Sequence, residues 1–502
     1  MFSRVLVANR GEVAVRVIRA LHELGVEAVA VYSTADSGAL HTRLADRAVC
    51  VGPPSAAESY LNVPSIIAAG ETTACEAVHP GWGFLAENPD FVRACEDNEL
   101  VFVGPDADVM GRMGDKVEAK RELADAGVPL VPGTEAVELG EARSAAAELG
   151  YPVLLKPTAG GGGKGMRLVE REDELDDAFD RASAEAFAAF ADGGLYLEKL
   201  IAPARHVEVQ VLCDADGGVL TLGERECSIQ RRHQKVVEET PSLAVSPALR
   251  RTMLSDAAAV AKGVGYTNAG TIEFLVDEDG RHYFLEMNTR LQVEHPITEM
   301  VTRIDLVHWQ IRIARGDRLT LDPDRLVVPD GHAIECRIYA EDPDNNFLPS
   351  PGRIVELRAP GGPGVRDDSG ATAGLEVPIF YDPMISKLVA WAEDRPRAIA
   401  RMRRGLREYL VAGIKTTIPF FTWLLEQPEF IEGRFHTTYL DDVLAARNGR
   451  PFIEPPAEAE DVATLAAVMQ AVLSSGAGPE SGERAAATGD RWKAQARTEG
   501  LR

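Results

Sequence analysis

The sequence predicts an α/β and α+β protein, with a doubly wound parallel sheet at the N-terminus and a mixed α+β region toward the C-terminus. Three observations carry this. Residues 1–114 alternate apolar runs (VLVA, AVAVY, LVFVG) with helical patterns, the signature of a parallel sheet covered by helices. Residues 131–204 form a smaller unit in which a glycine run separates two short strands. Residues 205–447 mix longer strands (HVEVQVL, IEFLV, YFLEM, AIECRIYA, KLVAWA) with helices over 247–264 and 394–410.

In chain order, the first strand covers residues 4–8 and turns at Asn9-Arg10-Gly11 into a helix. HPGWGFLAEN (79–88) is a glycine-rich loop at another strand end, where open α/β sheets place ligands. A linker helix over 115–130 closes at Gly127 and Pro129. In the smaller unit YPVLLKP, MRLVE and LYLEKL read as strands, with a helix over 172–190. From 448 the composition shifts. Pro455-Pro456 precede a helix over 458–473 with Val462, Leu465, Met469 and Val472 on one stripe, then a Gly/Ser/Ala-rich segment and a basic end bearing Trp492. That helix is expected to pack on the body in preference to another subunit.

With 502 residues, the chain needs about three domains. A net charge of −25 excludes broad contact with nucleic acid or an anionic membrane, so any phosphate site must be a local positive island. A salt-adapted source is an equally open explanation of the acidity. Six scattered cysteines without a CxxC pair indicate buried thiols in a reducing cytoplasm, Cys227 included. No run approaches the ~18 apolar residues of a membrane span. The N-terminus has charges inside its apolar stretch, unlike a signal peptide.

The most informative stretch is TIEFLVDEDGRHYFLEMNTR (271–290). Asp279-Gly280 predicts a two-residue type I′ hairpin turn, pairing Glu278 with Arg281 and placing Glu273 opposite Glu286. Directly opposed like charges destabilise a sheet, and a divalent cation between them removes the conflict. Asn288 falls on the same face, giving three hard oxygen donors suited to Mg²⁺ with nucleotide phosphates. A solvent-facing acidic hairpin is the alternative.

AGGGGKGM (159–166) meets neither common phosphate motif in context. A dinucleotide fingerprint should lead into a helix, whereas the strand-like MRLVE follows; a P-loop needs Ser or Thr after Gly-Lys, whereas Gly165 follows Lys164. A hairpin flap closing over phosphates remains, with a passive loop as the alternative. Lys156, just before the flap, and Lys116 in MGDK are candidate phosphate-binding cations, although either suits a solvated surface. Glu198, at the end of LYLEKL, is a candidate for a domain hinge whose neighbouring backbone would line an adenine pocket. QRRHQK (230–235) supplies Arg231, Arg232, His233 and Lys235 as local positive charge. In RLQVEHP (290–296) Arg290 can clamp a planar anion, and Glu294, near cations, can act as general base if its pKa is tuned for it.

Together these segments resemble the ATP-grasp superfamily and, more narrowly, biotin carboxylase. ANRGE (8–12), HPGWGFLAEN (79–88), MGDK (113–116), KPTAGGGGKGM (156–166), EMNTRLQVEHPITE (286–299), ECRIYAED (335–342) and YDPMISKL (381–388) carry the resemblance, which spans residues 1–447. It implies an N-terminal pre-ATP-grasp domain (1–114), the linker helix (115–130), a mobile ATP-grasp lid (131–204), a catalytic and C-terminal domain (205–447) and an extension (448–502). It implies Mg²⁺ or Mn²⁺ at Glu273, Glu286 and Asn288. ATP would be bound by Lys116, Lys156, Gly162, Gly163, Glu198, His206, His233 and the Leu200 backbone. Lys235, Arg290 and the Val293 backbone would hold bicarbonate, Glu294 would deprotonate it, and Arg337 would stabilise the biotin enolate. It further implies a cytoplasmic homodimer, with Arg16 on an N-terminal helix near the interface. Biotin would arrive on a separate carrier protein, with a separate carboxyltransferase subunit, because no Met-Lys-Met attachment segment is present. Ala159, Lys164 and Tyr339 depart from the family pattern; the last bears on biotin access. Another ATP-grasp carboxylate–amine ligase, a two-subunit pyruvate carboxylase and a non-catalytic nucleotide-binding scaffold are the competing readings.

Overall fold

The computed structural model describes residues 1–124, 127–158, 165–190, 192–323, 329–454 and 458–475. The chain divides into two compact units, Met1–Phe452 and Ile453–Arg502.

The first unit opens with β1 (Arg4–Val7), α1 (Gly11–Glu23), β2 (Glu27–Ser33), β3 (Arg47–Gly52), β4 (Ala77–His79) and β5 (Val101–Phe102). Every strand pair is parallel, in the order β3-β2-β1-β4-β5. The first strand ends at Val7 and the LVFVG run yields only two strand residues. Apolar residues of α1 (Val13, Val17, Ile18, Leu21) are buried against these strands. The chain leaves β1 toward β2 on one side, and β4 lies on the other. Their carboxyl ends therefore form the switch point of the sheet and bring Asn9–Gly11 and the HPGWGFLAEN loop together. Asn9 locks them: its side-chain amide donates to Pro80 O at 2.7 Å and Trp82 O at 2.8 Å. Arg16, also on α1, is 8 % exposed and pairs within the chain with Glu299 and Asp305.

The linker helix α2 (Lys116–Ala124) leads to α3 (Leu139–Leu149), β6 (Val153–Pro157), β7 (Arg167–Val169), α4 (Leu175–Phe190) and β8 (Leu195–Lys199). The three strands form an antiparallel sheet ordered β7-β6-β8. Helix α3 is absent from the sequence expectation; a capping box between Glu138 and Glu141 starts it. The glycine run at 159–164, and with it Gly162, Gly163, Ala159 and Lys164, lies outside the described residues.

An antiparallel sheet follows, built from β9 (Arg205–Cys213), β10 (Val219–Arg231), β11 (Gln234–Thr240), β12 (Asn268–Val276), β13 (His282–Asn288), β14 (His332–Tyr339), β15 (Val365–Ser369) and β16 (Met384–Ala392). Its order is β13-β12-β9-β10-β11-β14-β16-β15. Helices α5 (Pro247–Gly263), α6 (His295–Thr302), α7 (Leu306–Ala314) and α8 (Arg395–Glu408) belong to the same region. One core joins both large sheets: Val13 and Val17 of α1 share a buried cluster with Leu212, Leu291 and Trp309. All six cysteines are free thiols and all but Cys50 are buried. No helix among the described residues is long and apolar enough to cross a membrane. In the second unit, α9 (Ala459–Ser475) occupies the predicted helical segment.

Candidate active site

The β12–β13 hairpin brings Glu273 opposite Glu286, as expected, but by a different route. Asp277 N–H donates to Arg281 O at 2.9 Å, so the turn holds three residues, with Gly280 at φ +77°. The two-residue turn and the Glu278–Arg281 pair are therefore corrected. Phe274 pairs with Phe284 while Glu273 pairs with Glu286, so Leu285 is bulged out. The bulge shifts the register by one and offsets the longer turn.

The acidic row is longer than the hairpin alone suggests. Across β9, Glu273 also faces Glu208, and Glu208 faces Arg225 on β10. Arg225 is fully buried and donates to Glu208 at 2.5 Å. Lys235 lies over the same row, donating to Glu208 at 2.5 Å, Glu273 at 2.8 Å and Glu294 at 2.7 Å. Burial opposes its charge, yet these three carboxylates hold Lys235 well above the usual lysine range. It emerges beside the tight β10–β11 turn, where Arg232 (φ 51°) and His233 (φ 64°) both adopt the left-handed conformation of a type I′ turn without glycine. That strain is retained at the rim of the site.

Glu273 Oε1 also accepts from the Asn288 amide at 2.8 Å and the Gln292 amide at 3.2 Å, and Oε2 pairs with His206 at 2.9 Å. Burial pushes the Glu273 carboxyl up, but Lys235 and His206 outweigh it and hold it well below the usual range. The opposed Glu273 and Glu286, with the Asn288 side chain beside them, place oxygen-bearing side chains on one wall of the site; the ligand atoms of His206, Glu208 and Glu273 lie close enough together to hold a metal ion, and Asn288 Oδ1 accepts from Arg290.

Glu294 precedes α6 and is 1 % exposed. Its Oε1 accepts from Lys235 and its Oε2 from Arg337 at 3.0 Å. Burial would raise its pKa, but Lys235, Arg337 and Arg225 hold the carboxyl well below its ordinary value. Arg337 also donates to Glu238 at 2.7 Å, and burial, resisted by Arg337, pushes that carboxyl up to about 7. Arg290 is held by Glu87 Oε2 at 2.8 Å, Gln292 Oε1 at 2.9 Å and Asn288 Oδ1 at 3.1 Å.

One cavity of about 620 Å³ gathers Lys156, His206, His233, Lys235, Glu273, Glu286, Asn288, Arg290, Val293 and Arg337. Glu294 reaches it through Lys235 and Arg337. Glu198 is not in its lining; its carboxylate is 2 % exposed and pairs with Lys120 and Lys156. Leu200 is also outside the lining, its N–H donating to Pro152 O at 3.3 Å. The Lys116 side chain, like Gly162 and Gly163, lies outside the described residues. Cys227 is buried with its Sγ 4.0 Å from Glu294 Oε1.

Sequence reasoning missed Glu87, Glu208, Glu238 and Gln292. Period-two alternation from His206 puts Glu208 on the same strand face, a signal available in RHVEVQVL. Glu87 lies in the glycine-rich loop already placed at a strand end, but its partner Arg290 is distant in sequence and only the fold joins them.

Comparison with known proteins gives three family matches. Residues 1–110 match "Biotin carboxylase, N-terminal domain", residues 115–322 "Carbamoyl-phosphate synthase L chain, ATP binding domain", and residues 335–442 "Biotin carboxylase C-terminal domain". The chain is 51 % identical over 444 residues to biotin carboxylase of Nostoc sp., covering 88 % of this chain and 99 % of that protein. It is 50 % identical to one of the subunits of pyruvate carboxylase from Methanothermobacter thermautotrophicus, covering 88 % of this chain and 90 % of the relative. Among solved structures it is similar to the biotin carboxylase domain dimer of Hydrogenobacter thermophilus 2-oxoglutarate carboxylase, in complex with MgADP, ADP and bicarbonate (TM-score 0.86, 46 % identity, 91 % of this chain and 100 % of that one).

Proposed function

The chain belongs to the biotin carboxylase family, and on that premise we propose how its own residues carry out ATP-dependent carboxylation of biotin by bicarbonate. It is an ATP-grasp ligase. The observation that supports the residue assignment is Glu294, its carboxylate between Lys235 and Arg337 at the edge of a cavity walled by the opposed Glu273 and Glu286.

Mg²⁺ or Mn²⁺, held by Glu273, Glu286 and Asn288, would neutralise charge on the nucleotide phosphates. Lys156, His206 and His233 bind ATP from the cavity wall, with Lys116, Gly162 and Gly163 as further ligands, and Glu198 positions Lys156 through their ion pair. Water must be kept away from the reactive carboxyphosphate. Lys235, Arg290 and the Val293 backbone take bicarbonate, whose planar oxygens suit a guanidinium fork.

Glu294 is the base. Without substrate its two cationic partners make it a poor proton acceptor. An anion that engages Lys235 and Arg290 draws positive charge away from Glu294 and raises its basicity, so binding itself readies the base. The deprotonated bicarbonate attacks the γ-phosphate and expels ADP, carboxyphosphate breaks into CO₂ and phosphate beside biotin, that phosphate takes the ureido N–H proton, and Arg337 steadies the resulting enolate while its nitrogen bonds to CO₂.

The acceptor assembly is an acetyl-CoA or other acyl-CoA carboxylase, with a separate biotin carrier protein and a separate carboxyltransferase subunit, and the chain works in the cytoplasm as a homodimer. The 50 % identity to part of a pyruvate carboxylase favours a keto-acid acceptor as the second reading. Proteins co-purifying with the chain distinguish the two. For the half-reaction itself, phosphate release from ATP is expected to require bicarbonate and to rise with free biotin. Release that needs an amine and ignores biotin overturns the proposal in favour of another ATP-grasp ligase.

A further inference from the structure

Lys387 is a buried charge with no part in the chemistry above. It is 0 % exposed on β16, directly across from Arg337 of β14. Two cations facing each other on neighbouring strands repel. An apolar side chain would serve the core at least as well, since replacing buried charge with well-packed apolar groups is often neutral or stabilising.

Its contacts run in two directions. The ammonium donates to Val293 O at 2.9 Å and pairs with Glu12 Oε2 at 3.1 Å. Glu12 is 3 % exposed, and its other oxygen accepts the Trp82 indole N–H at 3.0 Å. Trp82 lines a second cavity, of about 360 Å³, with Phe84, Tyr381 and Asp382. At the other end of this chain of contacts, Val293 lines the active cavity and is followed by Glu294.

The peptide joining residues 293 and 294 is planar, so the Val293 carbonyl and the Glu294 N–H point in opposite directions. Fixing that carbonyl on Lys387 fixes the plane from which the Glu294 side chain departs. Glu294 sits at φ −82°, ψ 10°, in the sparsely allowed bridge region, and makes no side-chain capping hydrogen bond to α6. Its local helix does not hold the side chain; Lys387 on the backbone and two cations on the carboxylate do.

We propose that Lys387, anchored through Glu12 to Trp82, is a positioning residue that sets the orientation of the Glu294 carboxylate and joins the aromatic cavity and the base into one rigid unit. The inference rests on the assignment of Glu294 as base.

The test is steady-state bicarbonate-dependent ATP hydrolysis by the full chain, comparing the parent with Lys387→Met, Lys387→Met/Glu12→Gln and Trp82→Phe. A displaced base should lower kcat by about 10²-fold in the first two while the KM for MgATP stays within about twofold. Trp82→Phe keeps an aromatic ring at a partly exposed position while removing the indole N–H along with the smaller ring that carries it; it should lower kcat by about tenfold with the same unchanged KM. The double variant removes the Glu12 carboxylate together with its cation, so it reports if Lys387→Met fails to fold, and Trp82→Phe reports if both buried variants fail. A double variant within about twofold of the parent kcat overturns the inference, as does a KM for MgATP that rises in step with the loss of kcat. A parent without bicarbonate-dependent hydrolysis overturns the base assignment and the inference with it. An active parent with unaffected variants overturns the inference alone.

Discussion

At the scale of single residues, the site is a set of buried charges in which each partner sets the state of the next. Glu294 is anionic because Lys235 and Arg337 are beside it, and Lys235 keeps its proton because three carboxylates surround it. Removing the base, Glu294→Ala, is expected to leave nucleotide binding within about twofold and to lower bicarbonate-dependent turnover by about 10²–10⁴-fold; equilibrium ATP binding measured beside kcat checks it. Glu238 gives a pH dependence. Burial pushes it up to about 7, so below that pH it is neutral and leaves Arg337 to Glu294 alone, deepening the hold on the base. Above it, the ionised Glu238 shares Arg337. Turnover should therefore rise with pH through about 7. Glu238→Gln, which mimics the protonated form, should stay low across the range and lose that limb; a pH–kcat profile with the limb intact contradicts the assignment. Most of these charged residues were visible in the sequence as types in motifs. Glu87, Glu208 and Glu238 were not singled out, because a carboxylate gains its role from a cation on a distant strand.

At the scale of elements, what was legible was local. Alternating apolar residues marked β9, β12, β13, β14 and β16, and a 3.6-residue apolar period marked α5 and α8. The β12–β13 register was reached despite an error in the turn: three residues stand there in place of two, and the bulge at Leu285 cancels the slip. Turn preferences describe the turn alone, whereas the bulge depends on both strands and on β9 beside them. Sheet order was not legible, because the pairing of β11 with β14 joins segments about ninety residues apart through packing rather than local propensity. That pairing is secured by Glu239 of β11, which accepts from His332 of β14 at 2.8 Å and from Arg395 of α8 at 2.7 Å. Burial disfavours this carboxylate, but His332 and Arg395 hold it down to about 2. A lowered folded pKa gives stability that is fully present above the ordinary carboxylate value and is lost as pH falls toward about 2. Glu239→Gln is thus expected to destabilise the fold by about 3–5 kcal/mol at neutral pH, because the buried Arg395 guanidinium loses its carboxylate partner. Denaturant unfolding at pH 7 and pH 3 should show the deficit shrinking at the lower pH; an equal deficit at both contradicts it.

At the scale of the whole molecule, two sheets of different origin share one core. The parallel sheet brings the HPGWGFLAEN loop to its switch point, and Glu87 from that loop holds Arg290 beside the antiparallel sheet. The broad class and the resemblance to a family were readable from motifs in order along the chain. The cavity was not, since its walls come from segments that meet only after both sheets pack. The first compact unit ends at Phe452, so a chain ending there should keep free-biotin carboxylation within about twofold and capture carrier and carboxyltransferase subunits less well. Unchanged capture in a pulldown would remove that role from the extension. The central claim is that this chain moves the carbon of bicarbonate onto biotin at the expense of ATP. Incubating it with isotope-labelled bicarbonate, MgATP and free biotin, then following label into the acid-labile carboxyl of biotin, tests this directly. The account predicts ATP-dependent labelling that Glu294→Ala abolishes; ATP hydrolysis with no label on biotin, or labelling that survives Glu294→Ala, would contradict it.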